Sequence, residues 1–313
     1  MAIAERPLTL NDYKTPVHIN WCPSCGDFGI VNAIQRSLNE LKIPPHKVAV
    51  FSGIGCSGKT PHYINAYGFH TLHGRVLPNA TGAKLANKDM TVIAVGGDGD
   101  GFGIGAGYFV NSGRRNVDFT YIVFNNGVYG LTKGQGAPTL ARGVRTKSMP
   151  EPAIQDSLNP IALAIGSGYT FVGRGYALDP KSLSELIGQA IEHKGSAFLD
   201  VLQTCPTYND VMTKTWLEES VHDHPRMYRI ADEGYDGVVS DPSNPSEIIA
   251  KKVQAIEKSY EWGDRIPTGV FYSARLRTYE EELETRLPDY ATTPLIDWNV
   301  QDRDVSKLLA ALR

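Results

Sequence analysis

The chain lacks any uninterrupted apolar stretch near the ~20 residues that a membrane-spanning helix needs, so a helical membrane protein is not expected. It also lacks an excess of positive charge. Its 31 Lys and Arg stand against 34 Asp and Glu, a formal charge of −3 at pH 7, whereas a general nucleic-acid binder is usually markedly basic. Cysteine is scarce: Cys22, Cys25, Cys56 and Cys205 are the only four in 313 residues, far too few for a disulfide scaffold. Residues 1–7 have none of the apolar core of a secretory signal, so the protein is expected to be cytoplasmic. In a reducing compartment four thiols point to metal binding or catalysis. No internal repeat or low-complexity tract is evident.

What is there is an ordinary globular composition, 42% apolar and 21% charged. An irregular arm ends in Trp21-Cys-Pro-Ser-Cys-Gly26. Asp27 can cap a helix whose apolar positions Phe28, Val31, Ile34, Leu38 and Leu41 recur at helical steps until Pro44-Pro45. Strands are expected at 47–52, 91–95, 119–124, 169–173 and 197–203. Helices are expected near 81–87, over 160–166 and over 179–193, with a glycine-rich one after residue 98. This alternation predicts an α/β fold, a mostly parallel sheet flanked by helices, over residues 1–210 including the arm. Residues 211–313 carry Pro242, Pro245, Pro267, Pro288 and Pro294, an acidic run at 280–282 and two plausible helices (246–260 and 302–312). Without a strong core pattern, they read as a C-terminal extension packed on the domain or on a partner chain.

Two short motifs carry most of the chemistry. Gly97-Asp98-Gly99 follows an apolar run, and a second apolar run delivers Asn125-Asn126, with Asn126 standing 28 residues after Asp98. Strand, helix, strand places both carboxyl ends side by side, where open α/β sheets bind ligands. Asp and Asn there are hard oxygen ligands suited to Mg²⁺ carrying a diphosphate; a capped helix and an Asn-Asn-Gly turn are the structural alternative. Gly101-Phe-Gly103-Ile-Gly-Ala106 is a weak echo of a dinucleotide fingerprint, and Gly53-Ile-Gly-Cys-Ser-Gly-Lys-Thr60 satisfies the formal P-loop pattern. The residues after Thr60 make a poor amphipathic helix, which leaves a phosphate site without a helix N-terminus. Among the cysteines, Cys22-x-x-Cys25 puts two thiolates on one turn, while Cys56 and Cys205 follow strands. In a parallel sheet those strand ends share one edge with Asp98. Four sulfurs there suit a [4Fe–4S] cluster and equally suit structural Zn²⁺.

Six motifs occur in order: Cys22-Pro-x-Cys-Gly-Asp27, Gly55-Cys-Ser-Gly-Lys59, His70-Thr-Leu-His-Gly-Arg75, Gly97-Asp-Gly-Asp100, Asn125-Asn-Gly-Val-Tyr-Gly-Leu-Thr-Lys-Gly-Gln135 and Cys205-Pro206. Over residues 18–210 the chain resembles the β subunit of 2-oxoacid:ferredoxin oxidoreductases, thiamine-diphosphate enzymes. The resemblance implies that Asp98, Asn126 and the carbonyl of Val128 hold Mg²⁺ and through it thiamine diphosphate, with Gly97, Gly99 and His73 around the cofactor. It implies that Cys22, Cys25, Cys56 and Cys205 bind one [4Fe–4S] cluster. It further implies a CoA-dependent oxidative decarboxylation with ferredoxin as acceptor, and an obligate α, or α plus γ, subunit supplying the pyrimidine-binding domain. No catalytic acid or base is assigned to this chain. Leu131-Thr-Lys-Gly-Gln135 looks most like members acting on 2-oxoglutarate or several 2-oxoacids, and Lys59 is the candidate cation for a second substrate carboxylate. Three other classes remain: a non-redox thiamine-diphosphate decarboxylase, a P-loop hydrolase and a zinc-stabilised interaction subunit.

Overall fold

The computed structural model of the chain describes residues 6–298 and 304–311. Eight strands form one sheet: β1 Val48–Ser52, β2 Tyr67–His70, β3 Thr91–Gly97, β4 Phe119–Asn125, β5 Phe171–Tyr176, β6 Ser196–Leu202, β7 Met227–Arg229 and β8 Ile266–Ser273. Their order is β7-β8-β5-β6-β4-β3-β1-β2. From β5 to β2 every neighbouring pair is parallel, while β8 runs antiparallel to β5 and parallel to β7. The mostly parallel sheet expected from the alternating pattern is the one observed.

Helices α1 Asp27–Glu40 and α5 Pro180–Glu192 cover one face. Helices α2 Val76–Ala86, α3 Ala106–Gly113, α4 Pro160–Ser167 and α6 Pro245–Ser259 cover the other, and α7 Tyr279–Arg286 follows β8. Successive side chains of a strand point to opposite faces. Val92 and Ala94 of β3 therefore join Leu77, Phe109 and Ile161, while Ile93 and Val95 join Ile34, Leu38 and Ile187. With both faces covered, a strand can be apolar throughout, which is why 91–95 shows no alternation.

The termini of α4 and α5 follow their sequences, whereas α1 has Gly26 at its cap with no side-chain hydrogen bond, so Asp27 is its first residue and not the expected cap. Asn159 accepts from the Ala162 N–H ahead of Pro160, and Gly168 closes α4 in the left-handed region at φ 94°. Asp179 caps α5 by accepting from the Ser182 N–H. Helix α2 begins five residues before the expected Thr81, because Pro78 falls in its first turn, where proline removes only an N–H that has no helical partner.

The sheet also extends beyond residue 210. Strand β8 pairs with β5 and buries Ile266, Phe271 and Tyr272; Pro267 and Gly269 within it read as loop punctuation in the sequence. Strand β2 was missed for a different reason: all four of its residues are exposed, so no apolar pattern marks it. The helix expected over 302–312 has the described part Ser306–Ala311, with residues 302–303 and 312 outside the described residues. Among the described residues no helix is long and apolar enough to cross a membrane.

Candidate active site at the carboxyl edge of the sheet

Four consecutive strands, β6-β4-β3-β1, present at one edge the segments bearing Cys205, Asn126, Asp98 and Cys56. A cavity of about 130 Å³ opens there. Cys56, His73, Gly97, Asp98, Gly99, Asn126 and Val128 all line it, so seven of the eleven residues singled out from the sequence meet in one place.

Asp98 is buried at 1% exposure. Its Oδ2 accepts from the Gly127 N–H at 2.9 Å and from the Thr139 hydroxyl at 2.5 Å. Burial pushes Asp98 up to about 7, against the pull of those hydrogen bonds; a cation beside it would relieve that cost. Asn126 Oδ1 accepts from the Val128 N–H at 3.0 Å, and its carbonyl accepts from Asn209 Nδ2 at 2.8 Å, across a turn in which Gly127 has φ 73°. A carboxylate, an amide oxygen and a main-chain carbonyl form the hard-oxygen set that Mg²⁺ takes, so these residues fit that ion.

The glycines divide by cause. A Cβ on Gly97 would make ordinary contact with Ser57 Oγ at 3.5 Å. On Gly99 it would lie 2.3 Å from the Tyr129 ring, on Gly101 2.4 Å from the Tyr121 hydroxyl and on Gly103 2.5 Å from the Tyr129 hydroxyl. Packing of two tyrosines thus accounts for Gly101 and Gly103 in the run that echoes a dinucleotide fingerprint, while a Cβ on Gly105 would meet the Asp100 carbonyl at 2.5 Å. The P-loop lookalike has a packing cause too. A Cβ on Gly53 would sit 1.9 Å from Asp100 Oδ2, and Asp100 Oδ1 takes the N–H groups of Ile54 (3.0 Å) and Gly74 (2.8 Å). A protein carboxylate occupies the loop where a phosphate would go, and the following Ser57–His62 is a short 3₁₀ turn containing Pro61. Asp100 also holds His73 Nδ1 at 2.6 Å. Sequence reasoning gives Thr139 and Asn209 no role, and it leaves Asp100 and Asn125 without separate roles although they stand inside the Gly-Asp-Gly-Asp and Asn125-Asn126 motifs.

The cysteine-bearing arm is strapped across the same edge. The Gly26 N–H donates to the Thr204 carbonyl at 3.1 Å, and Trp21 Nε1 donates to the Cys56 carbonyl at 2.8 Å. The sulfurs of Cys56 and Cys205 each lie 3.6 Å from where a Gly130 Cβ would stand, so they are separated by at most twice that distance. Cys25 feels the charge of Cys56 and Cys205, and Cys56 that of Cys22. Cys25 and Cys205 are buried, Cys56 is partly buried and Cys22 exposed. Burial pushes the Cys56 thiol up to about 11 and Cys25 further, and it raises Cys205 as well, partly offset there by the N–H groups of Tyr208, Thr207 and Asn209. Among the described residues no three His, Cys, Asp or Glu side chains converge closely enough for a single metal ion.

Lys59 stands on the cysteine side. Its Nζ donates to Asn20 Oδ1 at 3.1 Å, it acts electrostatically on Asp27 and Cys56, and it does not line the Asp98 cavity.

Known proteins resemble this chain in sequence and in overall shape. Residues 53–201 match the thiamine pyrophosphate enzyme C-terminal binding domain, and 205–286 match the C-terminal region of the pyruvate ferredoxin oxidoreductase beta subunit. The 2-oxoacid:ferredoxin oxidoreductase subunit beta of Saccharolobus solfataricus is 55% identical over 279 residues, 88% of either chain. This chain belongs to the β subunits of 2-oxoacid:ferredoxin oxidoreductases. Within that family, the 2-oxoglutarate oxidoreductase subunit KorB of Mycobacterium tuberculosis is 34% identical over 90% of this chain and 83% of its own. A solved 2-oxoglutarate:ferredoxin oxidoreductase from Magnetococcus marinus, with 2-oxoglutarate, coenzyme A and succinyl-CoA bound, superposes with a TM-score of 0.84 at 34% identity, over 98% of this chain and 96% of that one. The resemblance read from the six motifs and the α/β thiamine-enzyme fold are thereby established.

Proposed function

We propose that this β subunit binds thiamine diphosphate through Mg²⁺ on Asp98, Asn126 and the Val128 carbonyl, and one [4Fe–4S] cluster on Cys22, Cys25, Cys56 and Cys205. The reaction is 2-oxoacid + coenzyme A + 2 oxidised ferredoxin → acyl-CoA + CO₂ + 2 reduced ferredoxin + H⁺. One observation carries the reading: Cys56 and the Asp98–Asn126 pair wall the same cavity, with Cys205 beside Cys56. Bound thiamine diphosphate supplies the carbanion chemistry of decarboxylation, and the protein supplies placement. Gly127 and Thr139 hold the Asp98 carboxylate, Asn209 fixes the Asn126 turn, and N–H groups at 207–209 offset part of the burial that raises the Cys205 thiol.

The cavity falls short of the roughly 300 Å³ at which small-molecule pockets begin. Near it Leu72, Ile104 and Leu131 are exposed. Both features support a site completed by a partner, an α-type subunit with the pyrimidine-binding domain, so the chain alone is inactive. For the substrate we propose 2-oxoglutarate, on the strength of the 2-oxoglutarate-directed relatives, with Lys59 meeting the second carboxylate.

An anaerobic preparation of the complex tests this. Iron and sulfide near four each per β chain, bound thiamine diphosphate and 2-oxoglutarate-dependent ferredoxin reduction are expected. Zinc in place of iron removes the redox role. An unchanged preference between pyruvate and 2-oxoglutarate in Lys59→Ile dismisses Lys59.

A further inference from the structure

A buried polar chain leads from the Asp98 carboxylate to side chains that do not line the cavity. Arg174 of β5 and Asp200 of β6 stand directly opposite each other in the parallel ladder. Both are at most 2% exposed, and Arg174 Nε lies 2.9 Å from Asp200 Oδ2. The other oxygen of Asp200 accepts from Asn125 Nδ2 at 2.8 Å. Asn125 Oδ1 is 2.9 Å from the Thr139 hydroxyl, which is 2.5 Å from Asp98 Oδ2. Trp262 and Phe271 hold the guanidinium, with ring centroids 5.4 and 5.5 Å away. The chain thus begins at an arginine held by two rings of the C-terminal region and ends on the proposed Mg²⁺ ligand.

A buried ion pair in a sheet interior is a poor source of stability, since desolvation offsets most of its attraction. Its best physical use is to fix orientation. Asn125 immediately precedes Asn126, so an amide clamped by Asp200 sets the strand end from which the Asn126 turn departs. Thr139 has one proton to share between Asn125 and Asp98, and it stops the Asp98 carboxylate from rotating about its own axis.

We propose that Arg174, Asp200, Asn125 and Thr139 are positioning residues for the metal–diphosphate site: they hold Asp98 and the Asn126 turn in the geometry that a divalent cation accepts. This rests on the assignment of Asp98 and Asn126 made above. None of the four touches the cavity in the role of a ligand, and their effect passes through Asp98.

The test uses the complex with its partner subunits, stripped of cofactor, with Mg²⁺ titrated at fixed thiamine diphosphate and binding followed by calorimetry. Thr139→Val, which keeps shape and loses the hydroxyl, should raise the Mg²⁺ concentration for half-maximal binding by about tenfold, the worth of one hydrogen bond to a charged group. Thr139→Ser should restore it. The double variant Arg174→Met/Asp200→Leu removes both charges together and so avoids stranding one. It should shift the same midpoint by a similar factor while iron per chain stays unchanged. Midpoints within twofold of the unaltered complex in Thr139→Val and in the double variant overturn the proposal. Loss of iron together with cofactor binding in the double variant marks a general folding defect and also overturns it. Absence of Mg²⁺-dependent binding in the unaltered complex sinks the functional assignment itself, and this proposal with it.

Discussion

His73 holds Nδ1 2.6 Å from Oδ1 of Asp100, and that same oxygen takes the N–H groups of Ile54 and Gly74. One carboxylate therefore ties the loop after β1 and the turn before α2 to the turn after β3. Asp100→Ala strands the buried Gly74 N–H and the half-buried Ile54 N–H, frees the His73 ring, and should cost about 2–4 kcal/mol of stability, read as a lower Tm in scanning calorimetry. His73 is substantially exposed, so His73→Ala should cost under about 1 kcal/mol. Equal melting of Asp100→Ala and the unaltered chain would show that the carboxylate is not the tie.

The two glycines flanking Asp98 should respond differently to one added methyl group. Gly99→Ala drives a Cβ to within 2.3 Å of the Tyr129 ring and should destabilise by about 1–3 kcal/mol through overpacking. Gly97→Ala meets only Ser57 Oγ at 3.5 Å and should melt near the unaltered Tm. Tyr129→Ala in the Gly99→Ala background should recover part of the loss. If Gly97→Ala proves the more damaging, the division by packing fails.

Serine at any of the four cysteine positions removes one thiolate from the proposed cluster. Cys25→Ser and Cys205→Ser, at buried positions, should lose most iron and sulfide, whereas exposed Cys22→Ser should retain the largest fraction. Iron and acid-labile sulfide assays on anaerobic protein read this directly. Full iron content in all four variants would place the cluster elsewhere.

His193 gives stability a pH dependence of its own. Burial lowers it to about 4, and its Nε2 lies 2.8 Å from the Thr170 hydroxyl. In the unfolded chain it takes a proton near its usual 6.5. Above that value both states are neutral and its contribution is complete. As pH falls from 6.5 towards 4 the unfolded state alone is protonated, so stability drops by up to about 1.4 kcal/mol per pH unit. Denaturant melts at pH 7 and pH 5 should show a smaller difference in His193→Gln than in the unaltered chain.

By itself the sequence determined the layered α/β architecture, the family and the candidate ligands. Apolar runs such as 91–95 and 119–124 can be solvated on neither face, so they demand helices on both. The residues at their carboxyl ends then share an edge by topology alone. Cys205, Asn126, Asp98 and Cys56 were legible for that reason. Tertiary structure alone decided what surrounds them. The Tyr129 ring forbids a side chain on Gly99, and the Asp100 carboxylate fills the lookalike loop at Gly53–Thr60. Strand β2 escaped notice because it is exposed on every residue, and β8 because Pro267 and Gly269 imitate a loop. The Arg174–Asp200–Asn125–Thr139 chain draws on residues 14 to 75 positions apart in sequence, and neither propensity nor periodicity encodes such a meeting. Only packing the strands side by side in the order β5-β6-β4-β3 brings those polar groups out of water and within hydrogen-bonding reach.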